Sequence, residues 1–487
     1  MNKKIIALFL ALLMASPILA SCGNDSKNPT PSSGNEKQTG TSGSDGEFAE
    51  IDSYVQELAE VSGGYDGKTF TILTREGEFP VNDTVTGDLR EDALYNRNRR
   101  IEELFGIKMQ ASLTTGEGYE DGSTSLEMAD KLFKDALANT GDYDLSIGNS
   151  GYGGATMITN GTIRSINDID IFNFEKSWWL NDLLNQFSIG EKTYFLAGKI
   201  TASFYGEGAA ILFNKEIAEQ YNIEDLYTVV NNGEWTIDKM NEVASVIPTN
   251  GDIFRYYASS GLSTYMSAGN KISEKDSEDY PTIPNALTDP QDKFIRNLYT
   301  FLGDKTQNIY IAPNVIDKNP ESKYTAEDAW DDNKFFLWIT GIGHAADVIE
   351  KETDFGIIPM PKADVSQPDY IAFTDSVNAA YIPKVLQDEE MTAYIVEAMA
   401  ALSEKYLEPA YYEKLLKGRS ASDANARHML DIIYSSKRYD LAGIYRWGSI
   451  AEIIGDSAIE NADQLSSNYR ANVRIANMEI KNMLTKD

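Results

Sequence analysis

The sequence contains very little of the two side chains on which disulfides and most zinc sites depend. Among its 487 residues there is one cysteine, and the histidines are His344 and His428. A single cysteine excludes an intramolecular disulfide and any thiolate-rich metal centre. Two histidines argue against a multi-histidine metal site. We therefore expect neither a bound metal nor another cofactor.

Basic side chains are also scarce relative to acidic ones. The chain has 43 Lys and Arg against 75 Asp and Glu, which gives a formal net charge of −32. Phosphate backbones and anionic lipids repel such a chain, so nucleic acid is excluded as a partner. Hydrophobic residues make up 42% of the sequence, which is enough to build cores and is not typical of a disordered acidic tail. The length suits two domains of ordinary size.

Sequence motifs for catalysis are largely missing. No glycine-rich phosphate loop with its lysine occurs, and the segment from Gly148 to Tyr152 lacks the final glycine of a nucleophile elbow. Neither histidine has a context typical of a serine triad. Paired carboxylates for glycoside cleavage stay open, because any acidic sequence contains many such pairs by chance. The sequence therefore predicts a protein that is not an enzyme.

The amino terminus has the pattern of a secretion signal. Lys3 and Lys4 precede the apolar run 5–20, which is shorter than the roughly 20 residues that a bilayer span needs. The run leads into Leu19-Ala20-Ser21-Cys22, which holds the only cysteine. This segment resembles the acylation site of bacterial lipoproteins. The resemblance implies a signal peptide at 1–21 and a lipid on Cys22.

The next segment, 23–47, contains no aliphatic or aromatic side chain. Its Gly, Ser, Thr, Asn, Pro and charged residues are typical of a flexible linker. We expect residues 22–47 to form a lipidated tether. A lead-in helix is predicted within 48–65, because Phe48, Ile51, Val55 and Leu58 recur at helical spacing.

Beyond the tether, apolar patterns alternate between strand and helix. Short apolar runs predict strands at 68–74, 144–148, 209–214, 335–340, 355–358 and 377–382, and helical spacing predicts helices at about 89–105 and 125–139. This alternation favours an α/β fold built from parallel strand units.

Several aromatic residues lie outside the helical and strand periodicities. They are Tyr152, Trp178, Trp179, Tyr205, Trp235, Trp338, Tyr370 and Trp447. A flat ring suits the apolar face of a sugar, whereas carboxylates and amides bind its hydroxyls. Packing in a core is the alternative for each tryptophan, and it is favoured for Trp235, which precedes a predicted helix start at Thr236.

Four later segments, taken in order, resemble a known family. They are 209–215 (AAILFNK), 232–239 (NGEWTIDK), 355–362 (FGIIPMPK) and 376–383 (SVNAAYIP). Together with the lipoprotein signal, they resemble the extracellular solute-binding lipoproteins of ABC transporters of the carbohydrate type, the family that includes maltodextrin-binding proteins. The resemblance extends from Met1 to about Asp440.

The resemblance implies a two-lobed, periplasmic-binding-protein-like α/β fold with hinge crossovers between the lobes. It places lobe one at 66–206 and 334–378, and lobe two at 207–333 and 379–487. The segment after Asp440 has helical spacing and is assigned no role beyond lobe two.

The ligand of such a fold lies between the lobes, at the carboxyl ends of the strands. This rule indicates the loops after residues 74, 148 and 340, the crossing at 203–207 and the tryptophan pair near 178. The expected ligand-binding residues are Arg75, Glu76, Asn149, Tyr152, Trp178, Trp179, Tyr205, Glu207, Trp338, His344, Tyr370 and Trp447. Ile342 belongs to the same loop as His344, and that loop lacks the tryptophan found near this point in some relatives.

The resemblance implies a membrane-anchored substrate-binding protein that captures a carbohydrate, such as an oligosaccharide, and delivers it to the permease subunits of an ABC importer. We expect a monomer outside the cytoplasm, held to the membrane by its lipid alone, on the outer face of the cytoplasmic membrane or in a periplasm. Three alternatives stay open. They are the same fold binding a peptide or another solute, a lipid-anchored glycoside hydrolase, and an adhesion lipoprotein without a ligand cleft.

Overall fold

The computed structural model describes residues 48–115, 123–167, 169–309, 325–349, 353–374, 377–416 and 424–484. The predicted signal peptide, Cys22 and the tether lie outside these residues. The helices are α1 (Ala49–Ser62), α2 (Leu89–Phe105), α3 (Ser123–Ala138), α4 (Ser150–Thr159), α5 (Asn181–Phe187), α6 (Lys215–Gln220), α7 (Leu226–Asn231), α8 (Ile237–Ser245), α9 (Leu262–Ser267), α10 (Asp289–Leu302), α11 (Ala326–Asp331), α12 (Ile342–Asp347), α13 (Glu389–Leu416), α14 (Ala424–Ser435), α15 (Leu441–Tyr445), α16 (Ile450–Ser457) and α17 (Leu465–Leu484).

The strands form two four-stranded sheets and two short ladders. They are β1 (Thr69–Thr74), β2 (Lys108–Leu113), β3 (Leu145–Asn149), β4 (Ala209–Asn214), β5 (Phe254–Ala258), β6 (Glu274–Lys275), β7 (Pro281–Thr282), β8 (Phe335–Gly341), β9 (Phe355–Pro359), β10 (Ala372–Thr374), β11 (Asn378–Tyr381) and β12 (Lys437–Tyr439). The predicted helices at 89–105 and 125–139 correspond to α2 and α3, and every predicted strand is present.

The first sheet has the strand order β11-β3-β1-β2. Its central strand β1 is parallel to both neighbours, with Ile72 opposite Leu145, and β11 runs antiparallel to β3. Helix α13 packs on α2 and α1, and apolar side chains of these helices, such as Ile101 of α2, share one buried cluster with Phe70 of β1. This sheet and these helices form the first lobe.

The second sheet has the strand order β5-β8-β4-β9. Strand β8 is parallel to β5, and β4 is antiparallel to both β8 and β9. All six residues of β4 are buried, as expected for a central strand covered on both faces. A group of touching rings, including Trp330, Phe335 and Trp338, packs against this sheet. The second lobe is built around it.

The strand pairing differs from the expected lobe boundaries after residue 333. Strands β8 and β9, expected in lobe one, pair with β4 in the second sheet. Strand β11 pairs with β3 in the first sheet, and α13, expected in lobe two, packs on the first. Pairing between segments far apart in the sequence decides sheet membership. Local periodicity predicts neither which sheet a strand joins nor whether it runs antiparallel to its neighbour.

The chain passes between the two lobes around a 3₁₀ turn at Ala202–Gly206, again between β9 and β11, and again between α13 and α14. The second passage carries β10, which pairs in parallel with β12. The helices after Asp440 contact both lobes, because α15 and α17 pack on α4 whereas α16 packs on α9 and α10.

Helix starts follow their sequence signals. The Thr236 hydroxyl accepts a hydrogen bond from the backbone N–H of Lys239 at 3.2 Å and caps α8. Trp235 is fully buried, and its indole N–H donates to the carbonyl of Pro359 at 3.0 Å. Trp235 is therefore a core residue, as its position before a cap indicates.

A buried carboxylate holds the first lobe together away from the sheet edge. Glu397 of α13 accepts hydrogen bonds from the indole N–H groups of Trp178 at 2.9 Å and Trp179 at 2.7 Å. It also accepts one from the Tyr54 hydroxyl at 3.0 Å, which joins α1 to α13. Burial raises the pKa of Glu397, and the indole donors oppose that rise. The carboxylate thus joins three separate segments of the chain.

We expect Glu397→Gln to lower the free energy of unfolding by about 2–3 kcal/mol, because hydrogen bonds to a charged acceptor are strong and the amide nitrogen cannot accept from an indole. Urea unfolding followed by tryptophan fluorescence measures this loss. The matched control is Glu390→Gln, an exposed position on the same helix, which should change stability by less than about 0.5 kcal/mol. Equal effects of the two substitutions would contradict this role for Glu397.

Candidate functional site

A cleft lies where strand ends from both sheets approach the 3₁₀ turn at Ala202–Gly206. Two adjoining cavities of about 390 and 350 Å³ share Gly206, Glu207, Gly343 and Asp347 in their walls. We refer to the two cavities together as the hinge cleft. Open α/β sheets bind ligands at the carboxyl ends of their parallel strands. The hinge cleft lies at that end of β1 in the first lobe and of β5 and β8 in the second.

The smaller cavity is walled mainly by the first lobe. Arg75 follows β1, and its Nη2 donates to the Ser203 hydroxyl at 2.9 Å and to Asn378 Oδ1 at 3.4 Å. Arg90 from α2 and Tyr411 from α13 complete this wall. These bonds hold the Arg75 guanidinium at the crossing between the lobes.

The larger cavity is walled mainly by the second lobe. Ser260 and Ser263 follow β5, Thr340 lies near the end of β8, and all three residues line this cavity. His344 on α12 is half exposed, and its ring centroid lies 5.4 Å from that of Trp338. Its Nδ1 lies 3.7 Å from Glu327. This wall is therefore rich in groups that both donate and accept hydrogen bonds.

Glu207 lies at the centre of the hinge cleft and lines both cavities. Its Oε1 accepts hydrogen bonds from the backbone N–H of Asn378 at 2.8 Å and from its Nδ2 at 3.3 Å. Its Oε2 is buried and has no hydrogen-bond partner among the described residues. Burial raises the pKa of Glu207, whereas the Lys437 ammonium and the Asn378 donors oppose the rise.

Lys437 holds the crossing from the opposite side. Its Nζ donates to the carbonyl of Phe204 at 2.5 Å and lies 3.7 Å from the centroid of the Phe204 ring. Gly208 has a φ of +116°, and a Cβ there would lie 3.4 Å from Lys437 Cε, so this position favours glycine. Burial lowers the pKa of Lys437, and Glu207 opposes that change.

Of the residues expected from the sequence, the structure brings Arg75, Glu207 and His344 together in the hinge cleft. Asn149 instead caps α4, where its Oδ1 accepts from the N–H of Gly151 at 2.7 Å. Glu76 is exposed and lines neither cavity. Ile342, from the His344 loop, is fully buried.

The structure does not bring the expected aromatic residues into the hinge cleft. Trp178 and Trp179 are buried against Glu397, and Trp338 belongs to the ring cluster of the second lobe. Tyr205 lies behind the cleft wall, with its ring centroid 5.1 Å from that of Tyr411. The Tyr370 hydroxyl donates to the Val230 carbonyl at 2.9 Å in the second lobe. Core packing and satisfied polar groups account for these positions.

Trp447 lines a separate cavity of about 470 Å³, between α4 and the segment after Asp440. Its ring stacks on Tyr445 at 5.0 Å, with 20° between the planes. Tyr152 lies on α4, and its side chain is outside the described residues. A larger cavity of about 780 Å³, near Lys275 and Arg438, takes no lining residue from either four-stranded sheet. The hinge cleft is therefore the best-placed candidate site.

Four functional residues were not predicted from the sequence. Arg90, Asn378 and Tyr411 line the hinge cleft, and Lys437 holds the crossing beside it. Asp88 gives a local signal for Arg90, because a cap residue predicts a helix start beside it. Tyr411 lies on α13 and Lys437 on β12, both far along the chain from the other residues of the hinge cleft. No local pattern marks them.

The described residues give no sign of a membrane span or a metal centre. No helix there is both long and apolar enough to cross a membrane. Within the same ranges, no group of three or more His, Cys, Asp or Glu side chains is placed to hold a metal ion.

No family model matches the sequence, and no curated protein matches it. Solved structures do match. An ABC substrate-binding protein from Listeria monocytogenes in complex with cycloalternan has a TM-score of 0.55 at 11% identity, over 84% of this chain and 98% of that one. A cyclo/maltodextrin-binding protein complexed with maltotetraose has a TM-score of 0.55 at 14% identity, over 86% and 98%.

A solute-binding protein of an ABC transporter from Thermotoga lettingae, bound with α-D-tagatose, has a TM-score of 0.51 at 18% identity, over 86% of this chain and 100% of that one. At such identities the likeness shows the fold. The chain therefore has the two-lobed, periplasmic-binding-protein-like fold, and the expected fold class is confirmed.

We expect Lys437→Met to destabilise the protein more as the pH rises. At pH 5 the Glu207 carboxyl carries its proton, because its pKa is raised from the ordinary 4.5, and losing the lysine costs mainly the bond to Phe204. At pH 7, where the parent still keeps part of the Lys437 charge, the variant leaves the Glu207 carboxylate without its cation, which costs up to about 3 kcal/mol. Melting temperatures of the parent and the variant across this range measure the difference.

Two further variants serve as controls for this experiment. Arg438→Met changes the exposed neighbour on β12, and its effect should be small and independent of pH. Adding Glu207→Gln to Lys437→Met should remove the pH dependence. A loss of stability that is the same at pH 5 and pH 7 would show that the charges of Lys437 and Glu207 do not interact.

Proposed function

We propose that this chain is the substrate-binding protein of an ABC importer and that it captures a carbohydrate, such as an oligosaccharide, in the hinge cleft. The observation that carries the proposal is that both lobes supply walls of this cleft at their strand ends. A ligand that contacts both lobes favours their closed arrangement, and the closed arrangement is the form that permease subunits would recognise.

The chemistry of the walls supports a polyhydroxylated ligand. The second-lobe side offers hydroxyl groups, among them Ser260 and Ser263, and the centre offers the Glu207 carboxylate. The first-lobe side offers the Asn378 amide and the phenol of Tyr411. Sites that hydrogen-bond many hydroxyls discriminate strongly, because an analogue that lacks one leaves buried groups unpaired. The structures with the same fold named above are complexes with cycloalternan, maltotetraose and tagatose.

A ligand screen tests this function. The full chain is melted with mono- and oligosaccharides, short peptides, polyamines and nucleosides, and each mixture is then assayed for ligand breakdown. We expect an intact saccharide to raise the melting temperature, with about 2.7 kcal/mol of added stability at 100 times Kd. A shift with peptides alone would instead support another solute.

In the same screen, cleaved glycan would support a hydrolase, for which Glu207 and Asp347 are the carboxylates in the hinge cleft.

Glu207→Gln should weaken saccharide binding by about 10- to 100-fold, because hydrogen bonds to a charged acceptor are worth about 1.5–3 kcal/mol. Glu219→Gln, an exposed position on α6, is the matched control and should bind like the parent.

We further propose that the protein acts as a monomer outside the cytoplasm and that Cys22 is acylated after removal of residues 1–21. The predicted tether at 23–47 would then join the folded lobes to the membrane surface. Two or more acyl chains anchor a protein stably, since each buried methylene contributes about 0.8 kcal/mol.

Cys22→Ser tests the lipid anchor. We expect the parent to sediment with membranes and the variant to appear in the soluble fraction or to keep its signal peptide. Mass spectrometry of the amino-terminal peptide measures the acyl chains directly. Ser26→Ala, a change within the tether, should leave membrane attachment intact. A parent protein without acyl chains on Cys22 would refute this part of the proposal.

A further inference from the structure

The smaller cavity of the hinge cleft is unusual for so acidic a chain, because two guanidinium groups lie in its wall. Arg75 and Arg90 both line it, although the chain has a net charge of −32. Burial raises the pKa of Tyr411 to about 12, and the charges of Arg90 and Arg75 oppose that rise. Both cations therefore act on the phenol of Tyr411, which lines the same cavity.

The carboxylates of this region have cations or donors of their own. Glu78 is buried, accepts from the backbone N–H groups of Ala202 at 2.8 Å and Ser203 at 3.1 Å, and interacts with the buried Arg97. Glu207 has Lys437 as its countercharge.

The remaining carboxylate of the cavity wall is Asp347, whose side chain is 69% exposed, so water screens its charge. Neither carboxylate in the cavity wall therefore serves as a countercharge for Arg90 alone.

Arg90 itself has a neutral partner. Its side chain is hydrogen-bonded to the Tyr411 hydroxyl, and its Nε is buried without a hydrogen-bond partner among the described residues. The charges of Asp88 and Glu91 favour the charged form of Arg90. Arg90 lines the cavity beside Arg75, and a guanidinium group whose side-chain partner is a neutral phenol is suited to an anionic ligand oxygen.

We propose that the ligand is an acidic carbohydrate whose anionic group binds between Arg75 and Arg90, while its hydroxyls contact the serine-rich wall of the larger cavity. This inference rests on the proposed function and names its ligand class. Arginine forks bind carboxylate, phosphate and sulfate oxygens in similar ways, and a uronic-acid carboxylate matches the fork in a bidentate manner.

The test compares trigalacturonate with its fully methyl-esterified form, which keeps the sugar skeleton and removes the charge. Calorimetry on the purified full chain should give at least tenfold tighter binding of the acid. Raising the salt concentration from 50 to 500 mM should lower the affinity of the acid relative to that of the ester, because ions screen the attraction between the anionic group and the arginines. A phosphorylated and a sulfated trisaccharide in the same series identify which acid group is preferred.

Arg90→Gln should lower the acid-to-ester ratio severalfold, whereas Arg90→Lys should keep most of the preference. Arg100→Gln, on the same helix with an exposed partner at Glu103, is the matched control and should keep the parent ratio. Melting temperatures without ligand confirm that each variant is folded.

The outcomes separate this inference from the proposed function. Equal binding of the acid, the ester and the other acidic sugars would overturn the acidic-ligand inference and leave carbohydrate capture standing. An acid-to-ester ratio that is as high in Arg90→Gln as in the parent would overturn the assignment of this cavity. Failure of every saccharide to bind would overturn the proposed function itself.

Discussion

The crossing at Ser203–Gly208 is the point on which both lobes and the hinge cleft depend. Charged side chains hold it from three directions, with Glu78 on its backbone N–H groups, Lys437 on the Phe204 carbonyl and Glu207 on Asn378 of the returning strand. Glu78 and Lys437 are buried, so each of these two charges is retained only because its partners are in place. The same contacts that fix the crossing also shape the walls of the cleft.

The arrangement explains why the charged groups of the hinge cleft are so closely coupled. The Lys437 ammonium lowers the pKa of Glu207 and the Glu207 carboxylate raises that of Lys437, so we expect the loss of either group to change the protonation of the other. Arg75 contributes in the same way, because its bonds to Ser203 and Asn378 join the first passage between the lobes to the second. A ligand that binds here would therefore contact the elements that connect the lobes.

Much of the fold was predictable from local patterns. The capped helix α2, the buried strand β4 and the core position of Trp235 all follow from spacing and cap chemistry over a few residues. The lobe boundaries were not predictable in this way. Strand β8 joins β4 and β5 rather than the first sheet, because main-chain hydrogen bonds between distant segments decide sheet membership.

The sequence by itself determined the α/β class, the order of most helices and strands, the charge of the chain and three residues of the hinge cleft. Strand ends mark where Arg75 and His344 lie, and the crossing segment marks Glu207. Only the tertiary structure decided that Trp178, Trp179 and Trp338 are core residues, and that Arg90, Tyr411 and Lys437 meet at the hinge. The physical reason is that burial and charge pairing depend on which distant segments pack together, and local spacing does not record that.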